Sequence, residues 1–164
     1  MWLICLISTR MKVSRSEVSF RHALTRAMEG QWRFVWHEDK EISPGVPDLM
    51  YCFESDGFTY ESGWLELKSK SDNLSGSNKI GVEPSQHQYI RRWRHLTPIH
   101  FLIHIKGMVY LVSSEHHSLL PMIDSIGVLA SISIVSMRKD EMQHRLATTL
   151  KNIVRRHSGD AQRI

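Results

Sequence analysis

Four residues in one half of the chain have the types and spacing to do chemistry together: Asp48, Glu66, Lys68 and Gln86. Asp48 follows Pro44-Gly45-Val46-Pro47 and opens a run, Asp48-Leu49-Met50-Tyr51-Cys52-Phe53, rich in strand-forming residues. Trp64-Leu65-Glu66-Leu67-Lys68 alternates apolar and polar, so as a strand it turns Leu65 and Leu67 to a core. Glu66 and Lys68 then share the opposite face, roughly 7 Å apart along the strand. If the two strands pair, Asp48 meets Glu66 at one end of the sheet. Converging carboxylates repel unless a cation sits between them. Oxygen ligands without cysteine favour a hard ion such as Mg²⁺, for which Mn²⁺ can substitute. Such an ion acidifies water and offsets charge on a phosphate, and a lysine beside that water can orient it or stabilise the oxygens of the reacting phosphate.

The order Pro-Asp, hairpin, Glu-x-Lys, loop and Pro84-Ser85-Gln86 on a basic helix resembles the active site of the PD-(D/E)XK nucleases, and within them the VRR-NUC group. The resemblance covers about residues 14 to 112. It implies an α/β domain with a restriction-endonuclease-like core, a mixed β-sheet flanked by helices. It also implies a Mg²⁺-dependent endonuclease hydrolysing phosphodiester bonds of DNA. Asp48 and Glu66 would hold the metal, Lys68 would serve the water, and Gln86 would orient water or phosphate. Many such nucleases carry a first-helix glutamate that joins the site, and Glu17 matches that position; a plain helix-capping role is its other reading. Small stand-alone members of the group include phage and mobile-element nucleases, some of which resolve junctions. That suggests selectivity for branched DNA, and a homodimer would bring two sites to two strands. Two other classes stay open: a non-catalytic nucleic-acid-binding protein on the same fold, and a structural or interaction protein.

The 164 residues suit one domain with one core. An apolar share of 41% and a charged share of 23% are ordinary for a globular protein. The net charge of +4 is unevenly placed. Residues 1–83 hold 10 Lys/Arg against 12 Asp/Glu, and residues 84–164 hold 11 against 5, so acids gather around the proposed metal site and bases where a polyanion would be gripped. Candidate DNA contacts are Lys70, Lys79, Arg91, Arg92 and Arg94; the three arginines cannot all face one way on a helix. The two cysteines, Cys5 and Cys52, suggest no disulfide, and no Cys/His spacing matches a zinc site. His100 and His104, four apart on a strand, lie roughly 13 Å apart, too far to share a metal. The apolar start, Met1 to Ile7, is too short to cross a bilayer and lacks a signal-peptide pattern, so an intracellular DNA-acting protein with no membrane partner and no small-molecule cofactor is expected.

Elements must position these residues. Ser14 to Met28 reads as a helix with a Ser14–Glu17 capping box and an inward stripe of Phe20, Leu24, Ala27 and Met28. A strand over 32–37, the Glu54–Gly57 turn, and strands over 99–105 and 108–113 joined at Lys106-Gly107 follow. The Ser/Asn/Gly-rich stretch 71–82 reads as a long loop, either a cover for a nucleic-acid strand or a flexible surface connection. A helix over 84–95 would turn Ile90, Trp93 and Leu96 inward. A short helix over 119–126, a strand over 128–135 and a helix over 140–156 complete the expectation. The last helix carries Arg145, Lys151, Arg155 and Arg156 and could pack on the sheet, form a dimer or touch DNA. In domain terms, residues 1–10 read as an extension, 11–114 as the nuclease-like core, and 115–164 as a strand and helix added to the same domain.

Overall fold

The computed structural model describes residues 15–30, 32–37, 43–54, 60–71 and 73–161. The expectations for residues 1–10, for Ser14 as a cap and for most of the Glu54–Gly57 turn lie outside that set.

Six strands form one sheet in sequential order: β1 (Arg33–Trp36), β2 (Leu49–Glu54), β3 (Tyr60–Lys70), β4 (Ile99–Ile105), β5 (Met108–Ser113) and β6 (Ser133–Arg138). All neighbours pair antiparallel except β3 and β4, which run parallel. A parallel pair needs a crossover, and residues 71–98 supply it with α2 (Pro84–Trp93) inside. The remaining helices are α1 (Arg15–Met28), α3 (Ile126–Ile132) and α4 (Met142–Ala161). The result is the mixed α/β sheet flanked by helices that the sequence led us to expect.

Strand alternation builds a core on each face of the sheet. Leu49, Tyr51, Leu65, Leu67, Leu102 and Leu111 pack with Phe20 and Leu24 of α1 and with Met142, Leu146, Leu150 and Val154 of α4. Ile99, Phe101, Ile103, Tyr110 and Val112 pack on the other side with Ile90 of α2 and Leu129 of α3. The C-terminal strand and helix therefore finish the same sheet and core as residues 15–114. The β4–β5 hairpin turns at Lys106 and Gly107, with φ of 49° and 81°; two successive positive values are the mirror-image turn that suits strand twist.

Several expectations need correction. Residues 128–135 are not one strand: α3 occupies Ile126–Ile132 and β6 begins at Ser133. Ser125 caps α3, its hydroxyl accepting from the Val128 N–H at 3.3 Å, and the buried Leu129 with the partly buried Ile126 and Ile132 recurs every third residue, a helical spacing. The expected helix over 119–126 is only a 3-10 turn, Leu120–Met122. Asp140 belongs to a 3-10 turn, Lys139–Glu141, and α4 runs past Arg156 to Ala161. Leu96 lies beyond the end of α2 and is 69% exposed rather than inward. The stretch 73–83 has no regular structure but is pinned. Leu74 and Ile80 are fully buried against β4, and Asn73 accepts from Lys106 Nζ at 3.0 Å. Burying two branched apolar side chains favours a fixed path over a loose one.

Candidate active site

On β3 the odd-numbered leucines face α1 and α4, which leaves Trp64, Glu66 and Lys68 on the α2 face. The register Leu49↔Leu65 sets Asp48, one residue before β2, level with Glu66. The regular ladder ends there, and the Asp48 carboxylate takes it one step further by accepting the Leu67 backbone N–H at 2.8 Å. Behind Asp48, its own carbonyl accepts from the His37 N–H at 2.8 Å, which ties the same residue to the end of β1. Asp48 and Glu66 are both buried, each about 4% exposed.

Gln86 fastens the other side. Its side-chain N–H donates to Glu66 Oε1, and its carbonyl oxygen accepts from Lys68 Nζ at 3.1 Å and from the Glu83 N–H at 3.0 Å. The amide orientation follows from its neighbours: turned over, its NH₂ would face two donors and its oxygen a carboxylate. Lys68 Nζ also lies 3.0 Å from Glu66 Oε1. Glu66, Lys68 and Gln86 thus form a closed triangle across β3 and α2. The chain before Asp48 packs on the same helix start. Gly45 has φ of 85°, and a Cβ there would overlap the Ser85 carbonyl. Only glycine fits that backbone and that close approach.

Arg21 is the site residue that the sequence analysis missed. Its guanidinium lies 3.3 Å from Asp48 Oδ1 and 3.5 Å from Glu17 Oε1, and its charge sits 5.1 Å from the centre of the Trp36 ring. Glu17 is linked to Asp48 through Arg21. Among the described residues no set of three His, Cys, Asp or Glu side chains is grouped closely enough to hold a metal ion. The available signal was the Glu17–Arg21 spacing of one helical turn, which reads locally as an ordinary surface pair.

The chemistry of the donor set suits a hard divalent ion. Asp48 and Glu66 offer carboxylate oxygens from matching register positions on neighbouring strands. Among the described residues, three carboxylates (Glu17, Asp48 and Glu66) face two cations (Arg21 and Lys68).

The expected gripping residues fall in two groups. Lys70 ends β3 beyond Lys68, and the exposed Lys79 lies on the pinned stretch that follows. Arg91, Arg92 and Arg94 are exposed at the far end of α2, away from Gln86. Arg92 lies 5.3 Å from the centre of the Trp93 ring. Arg94 lines a cavity with Arg156 and His157 near the start of β4. His100 lines that cavity as well, and its pKa is lowered to about 4, first by burial and then by the His157 charge. His104 stacks on Phe20 at 4.9 Å between ring centres, on the α1 side of the sheet. Cys52 is a free thiol, only partly buried.

A scan against protein-family models and a search of curated proteins give no match. Among solved structures, the chain is similar to Archaeoglobus fulgidus Hjc, a Holliday junction resolvase from an archaeal hyperthermophile. The identity is 14% and the TM-score 0.38, over 70% of this chain and 97% of the other.

Proposed function

We propose that this chain is a metal-dependent endonuclease that hydrolyses phosphodiester bonds of DNA and selects its substrate by branched or junction structure. The observation that carries this reading is the pair of buried carboxylates, Asp48 and Glu66, at matching register positions, with Lys68 two residues along the strand and Gln86 bonded to both Glu66 and Lys68. A structural role alone would not require two acids at a buried position, where each ionised group is costly to desolvate. Asp48 and Glu66 would hold Mg²⁺, with Mn²⁺ as a substitute. The bound ion would acidify a water and offset charge on the scissile phosphate.

The protein's own groups do the rest. Gln86 fixes the Glu66 carboxylate and holds Lys68 Nζ beside it, so that one cation is aimed where negative charge develops on the phosphate. Arg21 balances Asp48 from the α1 side and keeps it in place when no metal is bound. Glu17, through Arg21, would tune that balance, or would join Asp48 and Glu66 in holding the ion. Arg91, Arg92 and Arg94 would add phosphate contacts along α2. A second copy in a homodimer would offer a second site to the opposite strand.

The test uses purified protein with supercoiled plasmid, linear duplex, flap, four-way junction and single strand, each in Mg²⁺ and in EDTA. Cleavage in Mg²⁺ alone, strongest on the branched substrates, is the expected result. Binding without cleavage in either Mg²⁺ or Mn²⁺ would replace the proposal with a non-catalytic binder. No binding and no cleavage would remove nucleic acid from the account.

A further inference from the structure

The strand register carries a line of positive charge from the proposed site to a cleft on the far side of the sheet's end. Lys70 closes β3 opposite Ile105, the last residue of β4. Lys106 follows at the tip of the hairpin, whose next residue, Met108, pairs with Arg138 at the end of β6, and Lys139 comes after it. The rim thus crosses four neighbouring strands, roughly 15 Å at ordinary strand spacing. That is about four base steps along a duplex. It leads into a cleft of about 620 Å³ beneath the hairpin, between α1 and the start of α4. Arg26, Lys106, Arg138 and Lys139 line this cleft, with Ala23 and Ala27 among its apolar lining and Asp140 its one acid.

Among the described residues, the acids that pair with this rim gather on Arg138. Asp140 and Glu141 lie 3.5 Å from Arg138, whereas among the described residues Lys106 donates to Asn73 at 3.0 Å and Lys139 to Ser19 at 3.3 Å, both neutral. Among the described residues, no carboxylate pairs with Arg26. Like charges that outnumber their counter-ions cost stability by repulsion, a cost that a bound polyanion would reduce. The cations are spread along a line instead of converging on a point, so the matching ligand is an extended chain of phosphates.

We propose that the rim of Lys70, Lys106 and Lys139 and the cleft lined by Arg26 hold the phosphodiester backbone of a nucleic-acid segment leading away from the Asp48–Glu66 site. This rests on reading that site as one that acts on nucleic acid, and it places the main grip on the sheet's end rather than on the arginines of α2. The contacts are to phosphates, so binding is salt-dependent and indifferent to base sequence.

The experiment measures binding of fluorescent duplex and single-stranded oligonucleotides in Ca²⁺, by anisotropy, from about 50 to 200 mM salt. Lys106→Gln, Lys139→Gln and Arg26→Gln are each compared with wild type and with Arg155→Gln, an exposed substitution on α4 that makes the same charge change elsewhere. Each rim substitution should weaken binding and reduce the salt slope by about one unit, at unchanged melting temperature. Arg155→Gln should keep the wild-type slope. A loss seen with both oligonucleotides, or with the single strand alone, supports the rim and identifies which form occupies it. Rim variants that bind with the wild-type affinity and slope, or that lose no more than Arg155→Gln, overturn the proposal. Cleavage is scored separately. A protein that never cuts but shows the slope changes would refute the nuclease reading and leave the rim standing, and the reverse result would do the opposite.

Discussion

Gln86, in the first turn of α2, donates its side-chain N–H to Glu66 in the middle of β3, 20 positions away in the chain. The same amide accepts from Lys68, so one neutral side chain sets the spacing between a carboxylate and a cation. Replacing Gln86 with Leu leaves a buried carboxylate short of a donor and takes one acceptor from the lysine. We expect destabilisation of about 1–3 kcal/mol, read from urea denaturation, together with a fall in cleavage rate. An unchanged denaturation midpoint would show that the contact does not hold the site together.

Asp48→Asn, Glu66→Gln and Lys68→Ala separate chemistry from folding. Asn can still accept the Leu67 N–H through its carbonyl oxygen, though its NH₂ then faces Arg21, and Gln can still accept from Gln86, so the first two changes keep those two bonds and remove the charge. Each of the three should lower cleavage by about 100-fold or more, while DNA binding in Ca²⁺ persists. Wild-type cutting by Glu66→Gln would remove this residue from the proposed metal site.

Arg21 stands where a metal would compete for Asp48. With Arg21→Met, Asp48 loses its cation and the protein should lose about 1–2 kcal/mol of stability in EDTA, an intermediate value because the Arg21 side chain is 25% exposed. Added Mn²⁺ should then raise the melting temperature of the variant by more than it raises that of the wild type. Equal shifts in both proteins would mean that the ion does not bind at Asp48.

The buried histidines predict acid sensitivity. His100 takes up a proton in the unfolded chain near its ordinary value of 6.5, but in the folded protein only near about 4. Between these values the unfolded state binds more protons, so stability falls as pH drops through the window, by up to about 3 kcal/mol from this residue. His104 and His117 are shifted in the same direction, mainly by burial, and add to the loss. Urea midpoints measured from neutral pH down to about 4 should show the decline. His100→Leu should flatten part of it; a curve identical to wild type would move the cause elsewhere.

Much of this arrangement can be read from short-range patterns. The alternation in Trp64–Lys68 puts Glu66 and Lys68 on one face because strands repeat every two residues, whatever they pack against. Lys106-Gly107 marks its hairpin, and the stripe of Met142, Leu146 and Leu150 marks a helix, for equally local reasons. The Pro-Asp pattern marks the entry of the chain into β2, and the Pro-x-Gln pattern marks the first turn of α2. Over 128–135, local pattern misled: apolar residues there satisfy both periods, and the Ser125 cap together with burial of Leu129 against β5 and its neighbours decided for a helix.

Only the tertiary structure could decide what meets what. The Arg21 bridge to Asp48 depends on α1 crossing the sheet at that height, and the Gln86 bond to Glu66 on how the crossover lays α2 over β3. The anchoring of 73–83 follows from Leu74 and Ile80 finding space against β4, which a polar, glycine-containing stretch does not advertise. Lys70, Lys106 and Lys139 stand far apart in the chain and become one rim because strand register brings three connections to the same end of the sheet. Periodicity acts over a few residues and is written in their order, whereas register and packing are settled by the whole core at once.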